Sequence, residues 1–124
     1  MTIRDAMSVV DVTVGPGHTL AEAAKRMVQG NTGAAVVYDP DGPGPGIVTE
    51  RDLLRAVAAG ADPAIAPVGE HMTARVQSIG PDADLDDAAA TMTAHNIRHL
   101  LVIDGTELVG IVSIRDIVRA RVTA

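Results

Sequence analysis

Apolar residues recur along the chain with two spacings, one typical of helices and one typical of short buried strands. In residues 19–29 the apolar side chains lie three and four positions apart, including Leu20, Ala23 and Met27, which predicts an amphipathic helix. Apolar runs of strand length stand at residues 34–38, 47–48 and 110–112, and the β-branched segment Val12-Thr13-Val14 predicts a further short strand. Clusters of glycine, proline and asparagine separate the runs and predict turns. The pattern therefore predicts short strands alternating with helices.

Helix starts are marked by a hydroxyl residue followed three positions later by an acidic residue, which is the spacing of a capping box. The pairs are Thr19 with Glu22, Thr49 with Asp52, and Ser113 with Asp116. The last two pairs follow an apolar run directly, so strand and helix are predicted to meet there without a loop.

The strand-to-helix segment occurs twice, as GIVTERD in residues 46–52 and as GIVSIRD in residues 110–116. Further matches lie 65 positions apart: Met7 with Met72, Leu20 with Leu85, and Asn31 with Asn96. Each copy reads β-α-β-β-α and is small for an independent core, so the two copies are expected to fold onto each other. We assign repeat one to residues 1–62, a linker to 63–67 and repeat two to 68–124.

The loop before the third strand of repeat one is rich in proline, since residues 39–46 read DPDGPGPG. Proline cannot donate to a strand ladder, so this strand is expected to be short. A short strand in turn bears on how well Thr49, at its end, is positioned.

Composition excludes several classes of protein. Aromatic residues make up 1% of the chain, with Tyr38 alone, so the core must be aliphatic. Cysteine is absent, which excludes disulfides and thiolate zinc sites. The formal net charge of −6 argues against nucleic acid as a partner. No apolar run approaches the length of a membrane span or a signal peptide, so a soluble cytoplasmic protein is expected.

The duplicated unit resembles a tandem pair of cystathionine-β-synthase (CBS) domains, the arrangement called a Bateman module. Two features carry the resemblance: the Met-[Ser/Thr] starts at residues 7–8 and 72–73, and the repeated strand-to-helix segment. It implies an α/β (α+β) fold in which two β-α-β-β-α repeats pack about a pseudo-twofold axis. It also implies two clefts that bind an adenosine-containing regulatory ligand, such as AMP, ADP, ATP or S-adenosylmethionine, with no other cofactor required.

The resemblance further implies which residues form the two clefts, each of which uses both repeats. The hydroxyl and acidic residues beside ribose and phosphate would be Thr49 and Asp52 in one cleft, and Ser113 and Asp116 in the other. The backbone that reads the adenine edge would be that of Val12, Thr13, Val76, Gln77 and Ser78. The chemistry is suitable, because a carboxylate accepts from two vicinal hydroxyls and a helix N-terminus favours phosphate.

The repeats differ where phosphate would bind. Repeat two has Arg98 and His99 before its second strand, a basic pair that members of this family often use for nucleotide phosphates, whereas repeat one has Gly33 and Ala34. We therefore predict one cleft, with Thr49, Asp52, Arg98 and His99, that favours a nucleotide, and a second that is empty, weak or suited to a less charged ligand. Arg51 and Arg115 could reach phosphate in either cleft or contact a partner.

Simpler interpretations stand beside these. Asp52 and Asp116 need only cap their helices, and His99 would serve equally as a half-buried strand residue. His95 and His99 are separated by a predicted helix end, so no metal site is expected. No sequence motif of a hydrolase, a phosphate-binding loop or a zinc protease occurs, so no catalytic residues are assigned.

These observations favour a regulatory module that binds an adenosine nucleotide and signals occupancy to an effector protein in trans. Homodimerisation is expected through the apolar faces Leu53/Leu54/Val57 and Ile117/Val118/Val122. The alternative is a non-catalytic dimerisation or assembly scaffold with vestigial clefts. An enzyme acting on nucleotides is a third, weaker possibility.

Overall fold

Helices begin directly after Thr19, Thr49 and Ser113, as the sequence predicts. The computed structural model describes residues 1–123. The helices are α1 (Ile3–Ala6), α2 (Leu20–Gln29), α3 (Glu50–Ala58), α4 (Leu85–His95) and α5 (Ile114–Thr123), with a 3-10 turn at Val68–Glu70. The strands are β1 (Thr13–Val14), β2 (Ala34–Val37), β3 (Gly46–Thr49), β4 (Ser78–Ile79), β5 (His99–Asp104) and β6 (Glu107–Ser113).

The strands form two three-stranded sheets with the same topology. In the first, β1 runs parallel to β2 and β2 antiparallel to β3. In the second, β4, β5 and β6 repeat that order. The predicted α+β fold of two β-α-β-β-α repeats is therefore confirmed. Strand β3 has 4 residues and its counterpart β6 has 7, as expected from the prolines that precede β3.

Each sheet packs against helices through an aliphatic core. Around the first sheet the buried residues are Val14, Leu20, Ala23, Met27, Ala35, Val37, Val48, Ala56 and Val68. Around the second they are Ile3, Leu85, Ala88, Met92, Leu100, Val102, Val112 and Ile117. The predicted apolar faces of α3 and α5 need correction, because Leu53 packs against the first core and Ile117 lies in the second. The exposed apolar residues of these helices are Leu54, Val57, Ile114, Val118 and Val122.

The segments that precede the first strand of each repeat pack on the other repeat. One compact unit is continuous, Asp11–Val76; the other is discontinuous, Met1–Val10 with the chain from Gln77 onward. We call residues 1–10 the first lead-in and residues 68–76 the second lead-in. The compact units are therefore not the same as the sequence repeats, since each contains the lead-in of the other.

Backbone hydrogen bonds fix the two lead-ins in equivalent ways. The Ile3 amide donates to the Ala83 carbonyl at 2.9 Å, and 65 positions on, the Val68 amide donates to the His18 carbonyl at 2.8 Å. Ile3 and Val68 are both fully buried. Each lead-in is thus hydrogen-bonded to the segment that immediately precedes the first long helix of its unit.

Each lead-in ends by adding a bridge to the third strand. Ser8 exchanges two backbone hydrogen bonds with Ile111 of β6, both 2.9 Å. Thr73 exchanges the equivalent pair with Ile47 of β3, at 2.8 and 2.9 Å. The Met-[Ser/Thr] starts are therefore sheet contacts, made next to the strand-to-helix junctions.

Candidate functional site

The junction of β3 and α3 is a complete capping box. The Thr49 amide donates to Asp52 Oδ2 at 2.8 Å and its hydroxyl donates to the same oxygen at 3.1 Å. The Asp52 amide donates back to Thr49 Oγ1 at 3.3 Å. These hydrogen bonds use Oδ2 of Asp52, and Oδ1 lies outside the capping box. Although strand β3 is short, it therefore brings Thr49 and Asp52 into contact.

The junction of β6 and α5 repeats this geometry. The Ser113 amide donates to Asp116 Oδ2 at 2.8 Å, and the Asp116 amide donates to Ser113 Oγ at 3.0 Å. Arg119 lies one turn further along α5, with its NH2 group 3.6 Å from Asp116 Oδ1. Asp116 is only 7% exposed, so its carboxylate is more deeply buried than that of Asp52, which is half-buried.

The structure brings Arg98 and His99 beside the second junction. His99 pairs directly with Ser113 across β5 and β6, and the Ile114 amide donates to the Arg98 carbonyl at 2.9 Å. Arg98 is exposed and His99 half-buried. Four residues whose side chains carry a hydroxyl, a carboxylate, a guanidinium and an imidazole therefore lie at one end of the second sheet.

The equivalent place beside the first junction carries the opposite charge. The Glu50 amide donates to the Gly33 carbonyl at 2.9 Å, as Ile114 does to Arg98. The Glu50 side chain lies over Gly33: a Cβ atom placed on that glycine would be 3.0 Å from Cδ and Oε1 of Glu50. Where the second sheet presents an arginine, the first presents a glycine covered by a carboxylate.

In repeat one, an arginine side chain donates a hydrogen bond to the backbone of strand β1, which was predicted to contact adenine. The carbonyls of Val12 and Val14 accept from the β2 backbone, at 3.0 and 3.1 Å. Carbonyls alternate in direction along a strand, so that of Thr13 faces away from β2, towards the open edge of the sheet. Arg26 of α2 donates to this carbonyl through NH1 at 2.7 Å.

Arg26 is grouped with two other polar side chains. Its NH2 group lies 3.3 Å from Nε2 of His18, and that nitrogen lies 3.7 Å from Glu22 Oε2. The other ring nitrogen of His18 accepts from the Gly15 amide at 2.8 Å. His18 thus connects the turn after β1 to the side chains of α2.

The matching strand of repeat two has no counterpart to Arg26. The Gln77 carbonyl accepts from the Leu101 amide at 3.2 Å, so the next carbonyl, that of Ser78, faces the sheet edge. The residue 65 positions after Arg26 is Thr91, whose hydroxyl donates within its own helix to Asp87 at 3.0 Å. Val76, also predicted at this strand, belongs to the continuous unit.

The remaining predicted residues are placed as follows. Arg115 is exposed, whereas Arg51 is half-buried and, like His99, makes a polar interaction. Among residues 1–123, no group of three or more histidine, cysteine or acidic side chains is placed to hold a metal ion.

No helix within residues 1–123 has the length and apolar character needed to cross a lipid bilayer.

Sequence reasoning missed Arg26 and Glu50. The signal was present in the alignment of the repeats, because these charged residues stand opposite Thr91 and Ile114. Their importance depends on what their side chains contact, which the pattern of apolar positions does not contain.

Comparison with known proteins identifies the fold family. The CBS domain family model matches the chain twice, over residues 3–59 and 68–123. A CBS domain-containing protein of Bacillus subtilis is 39% identical over 117 residues, which cover 94% of this chain and 82% of that protein.

Solved structures agree with this match. A CBS-domain containing protein from Agrobacterium tumefaciens is 38% identical, with a TM-score of 0.86 over 96% of this chain and 90% of that one. A CBS domain protein from Pyrobaculum aerophilum, solved in complex with AMP, is 31% identical, with a TM-score of 0.82 over 100% of both chains. The twofold family match, the repeated topology and these relatives together show that the chain belongs to the CBS domain family, as a tandem pair.

Proposed function

We propose that this CBS pair is a regulatory module that binds an adenosine nucleotide of the AMP, ADP or ATP class. The observation that carries the proposal is the AMP complex of the Pyrobaculum aerophilum protein, which this chain matches over its whole length. The two carboxylate-bearing junctions and the basic pair supply the groups that such a ligand requires.

The ribose is assigned to Asp116, at the junction beside Arg98 and His99. Its Oδ2 atom is engaged by Ser113, while Oδ1, 3.6 Å from the NH2 group of Arg119, lies outside the capping box and can accept from vicinal hydroxyls. Hydrogen bonds to a charged carboxylate are stronger than those between neutral groups. Capping and ligand binding are therefore compatible uses of one side chain.

The phosphate is assigned to Arg98 and His99, which lie beside the N-terminus of α5 at Ser113. Arginine presents a planar fork of donors that matches phosphate oxygens, and a helix N-terminus favours an anion. Adenine is assigned to the backbone around Ser78, whose carbonyl faces the sheet edge. In this proposal the nucleotide binds to the discontinuous unit, so its binding stabilises that folded unit.

Output is assigned to self-association and to an effector protein in trans. Leu54 and Val57 of α3 and Val118 and Val122 of α5 are all more than half exposed. Exposed apolar side chains on neighbouring turns of one helix form surfaces that favour protein contacts. We propose that these surfaces form a homodimer whose packing reports nucleotide occupancy.

A thermal-shift screen with AMP, ATP, S-adenosylmethionine and NAD tests the ligand assignment. A specific ligand raises the melting temperature in a concentration-dependent way, and Asp116→Asn removes the shift. Thr19→Ala is the matched control, because Thr19 caps α2 at 3.2 Å from the Glu22 amide but has no assigned ligand role.

The control variant is expected to melt earlier and to keep the full shift. If no adenosine compound shifts the wild-type protein, the nucleotide proposal is wrong and the scaffold alternative, supported by the exposed faces of α3 and α5, takes its place.

A further inference from the structure

Two side chains of the continuous unit occupy positions that the discontinuous unit leaves to small or apolar residues. Arg26 binds the edge carbonyl of Thr13 at 2.7 Å, and Glu50 covers Gly33. The residues at the equivalent positions of repeat two are Thr91, Ile114, Ser78 and Arg98. The difference between the repeats is thus concentrated where the proposed ligand contacts lie.

The Arg26 hydrogen bond occupies the Thr13 carbonyl, which could otherwise accept a hydrogen bond from a nucleotide base. An outward carbonyl on an edge strand is an acceptor for the exocyclic amine of a base, in the way that sheet edges accept other donors. At Thr13 this acceptor is already bonded to a guanidinium, which also lies against His18. A base at this edge would have to displace a charge-assisted hydrogen bond.

The Glu50 side chain opposes phosphate. Gly33 stands at the position that Arg98 holds in the other sheet, and the carboxylate of Glu50 fills the space above it. Like charges brought together at a binding surface disfavour the complex. This end of the first sheet therefore repels the group that the end of the second sheet attracts.

We propose that Arg26 and Glu50 close the repeat-one half of the module to nucleotides, so that each chain binds a single AMP. The inference rests on the proposed function and deepens it, because it assigns the stoichiometry to two side chains. Arg26 blocks the base and Glu50 blocks the phosphate, from two separate elements of one unit. Both are specificity-determining residues and neither is needed for the nucleotide bound through Arg98.

Equilibrium dialysis with radiolabelled AMP tests the proposal on the full chain. The wild-type protein is expected to bind one AMP per chain at saturation. The variant R26T/G33R/E50I places the residue types of repeat two at the three repeat-one positions and is expected to bind two. Lys25→Ala, which removes an exposed cation next to Arg26 and introduces the residue type found 65 positions later, is the control and is expected to bind one.

A second variant guards against misfolding of the first. R26T/E50I changes only two exposed side chains and leaves the backbone at Gly33 unchanged. It is expected to bind a second AMP more weakly than the triple variant, because it lacks the new arginine.

The outcomes separate the two proposals. A wild-type protein that binds two AMP molecules, or a folded R26T/E50I variant that still binds one, overturns the inference and leaves the proposed function standing. A wild-type protein that binds none overturns the proposed function itself.

Discussion

A hydroxyl and an aspartate three positions apart perform one local task at three places in this chain. In α1 the Thr2 amide donates to Asp5 at 2.9 Å, as Thr49 does to Asp52 and Ser113 to Asp116 at 2.8 Å. Each aspartate satisfies a donor that the helix leaves without an intrahelical partner. Only two of the three pairs stand at the end of a strand, so position in the sheet distinguishes a candidate ligand residue from a cap.

Removing a cap hydroxyl should weaken the fold by a predictable amount. Ser113→Ala is expected to lower the free energy of unfolding by about 1 kcal/mol, because the Asp116 amide loses its acceptor. Urea denaturation followed by circular dichroism measures the change. Thr93→Ala, at an exposed position within α4, is the control and should leave stability unchanged or slightly raised. Equal losses in the two variants would contradict the capping role.

The first lead-in should respond to acid through Asp5. The hydrogen bond from the Thr2 amide, followed by that from its hydroxyl, lowers the pKa of Asp5 below its ordinary value. A lowered pKa means that this contribution to stability is complete above the ordinary value and is lost as pH falls through the folded-state value.

The Thr2 amide resonance reports this titration. Its midpoint is expected below the ordinary aspartate range, and Asp5→Asn should abolish the titration while leaving the resonance visible. A midpoint at or above the ordinary value would show that the capping bond does not persist in solution.

At the scale of elements, the glycine that opens each repeated segment is explained by a crossing chain. A Cβ on Gly110 would lie 2.7 Å from the Ser8 carbonyl oxygen, and one on Gly46 would lie 2.8 Å from that of Thr73. Side chains are excluded there because the lead-in bridges run directly over the strand. The glycine and the Met-[Ser/Thr] start are therefore two halves of one contact.

Adding a methyl group at either glycine should be destabilising. Gly110→Ala and Gly46→Ala are each expected to lower the free energy of unfolding by about 1–3 kcal/mol, since backbone atoms must move to relieve the overlap. Gly17→Ala is the matched control, because nothing lies within 4 Å of the added atom. Chemical denaturation of the three variants provides the comparison, and a fully stable Gly110→Ala protein would refute the crossing.

At the scale of the whole molecule, the boundaries of the two compact units differ from the boundaries of the two sequence repeats. The continuous unit needs Val68 and the Thr73 bridge, which the sequence assigns to repeat two. The discontinuous unit needs the buried Ile3, which the sequence assigns to repeat one. A cut through the linker at residues 63–67 would leave both halves incomplete.

Fragment boundaries test this arrangement. Residues 11–76 are expected to unfold cooperatively and to give a dispersed amide spectrum, whereas residues 1–62 should lose cooperativity because their core lacks Val68. Thermal melts by circular dichroism compare the two. A fragment 1–62 as cooperative as 11–76 would show that the lead-in is dispensable.

Local patterns predicted much of this structure. Caps, the short β3 and the duplication depend on residues a few positions apart or on direct comparison of two segments. The capping roles of Thr49, Asp52, Ser113 and Asp116 could therefore be predicted from sequence alone. The exchange of lead-ins was not found, because the bond between Ser8 and Ile111 joins distant residues whose types do not reveal the pairing. Arg26 and Glu50 were missed for the same reason.

The exchanged lead-ins also set an order of assembly during translation. The continuous unit has all its parts as soon as Val76 leaves the ribosome, whereas the first lead-in gains its first backbone partners when Pro81 and Ala83 follow, and its Ser8 bridge waits for Ile111. Ile3, an apolar side chain, therefore lacks its core contacts until α4 has been synthesised. Of the six strands, the one synthesised last pairs with the lead-in that precedes all of them.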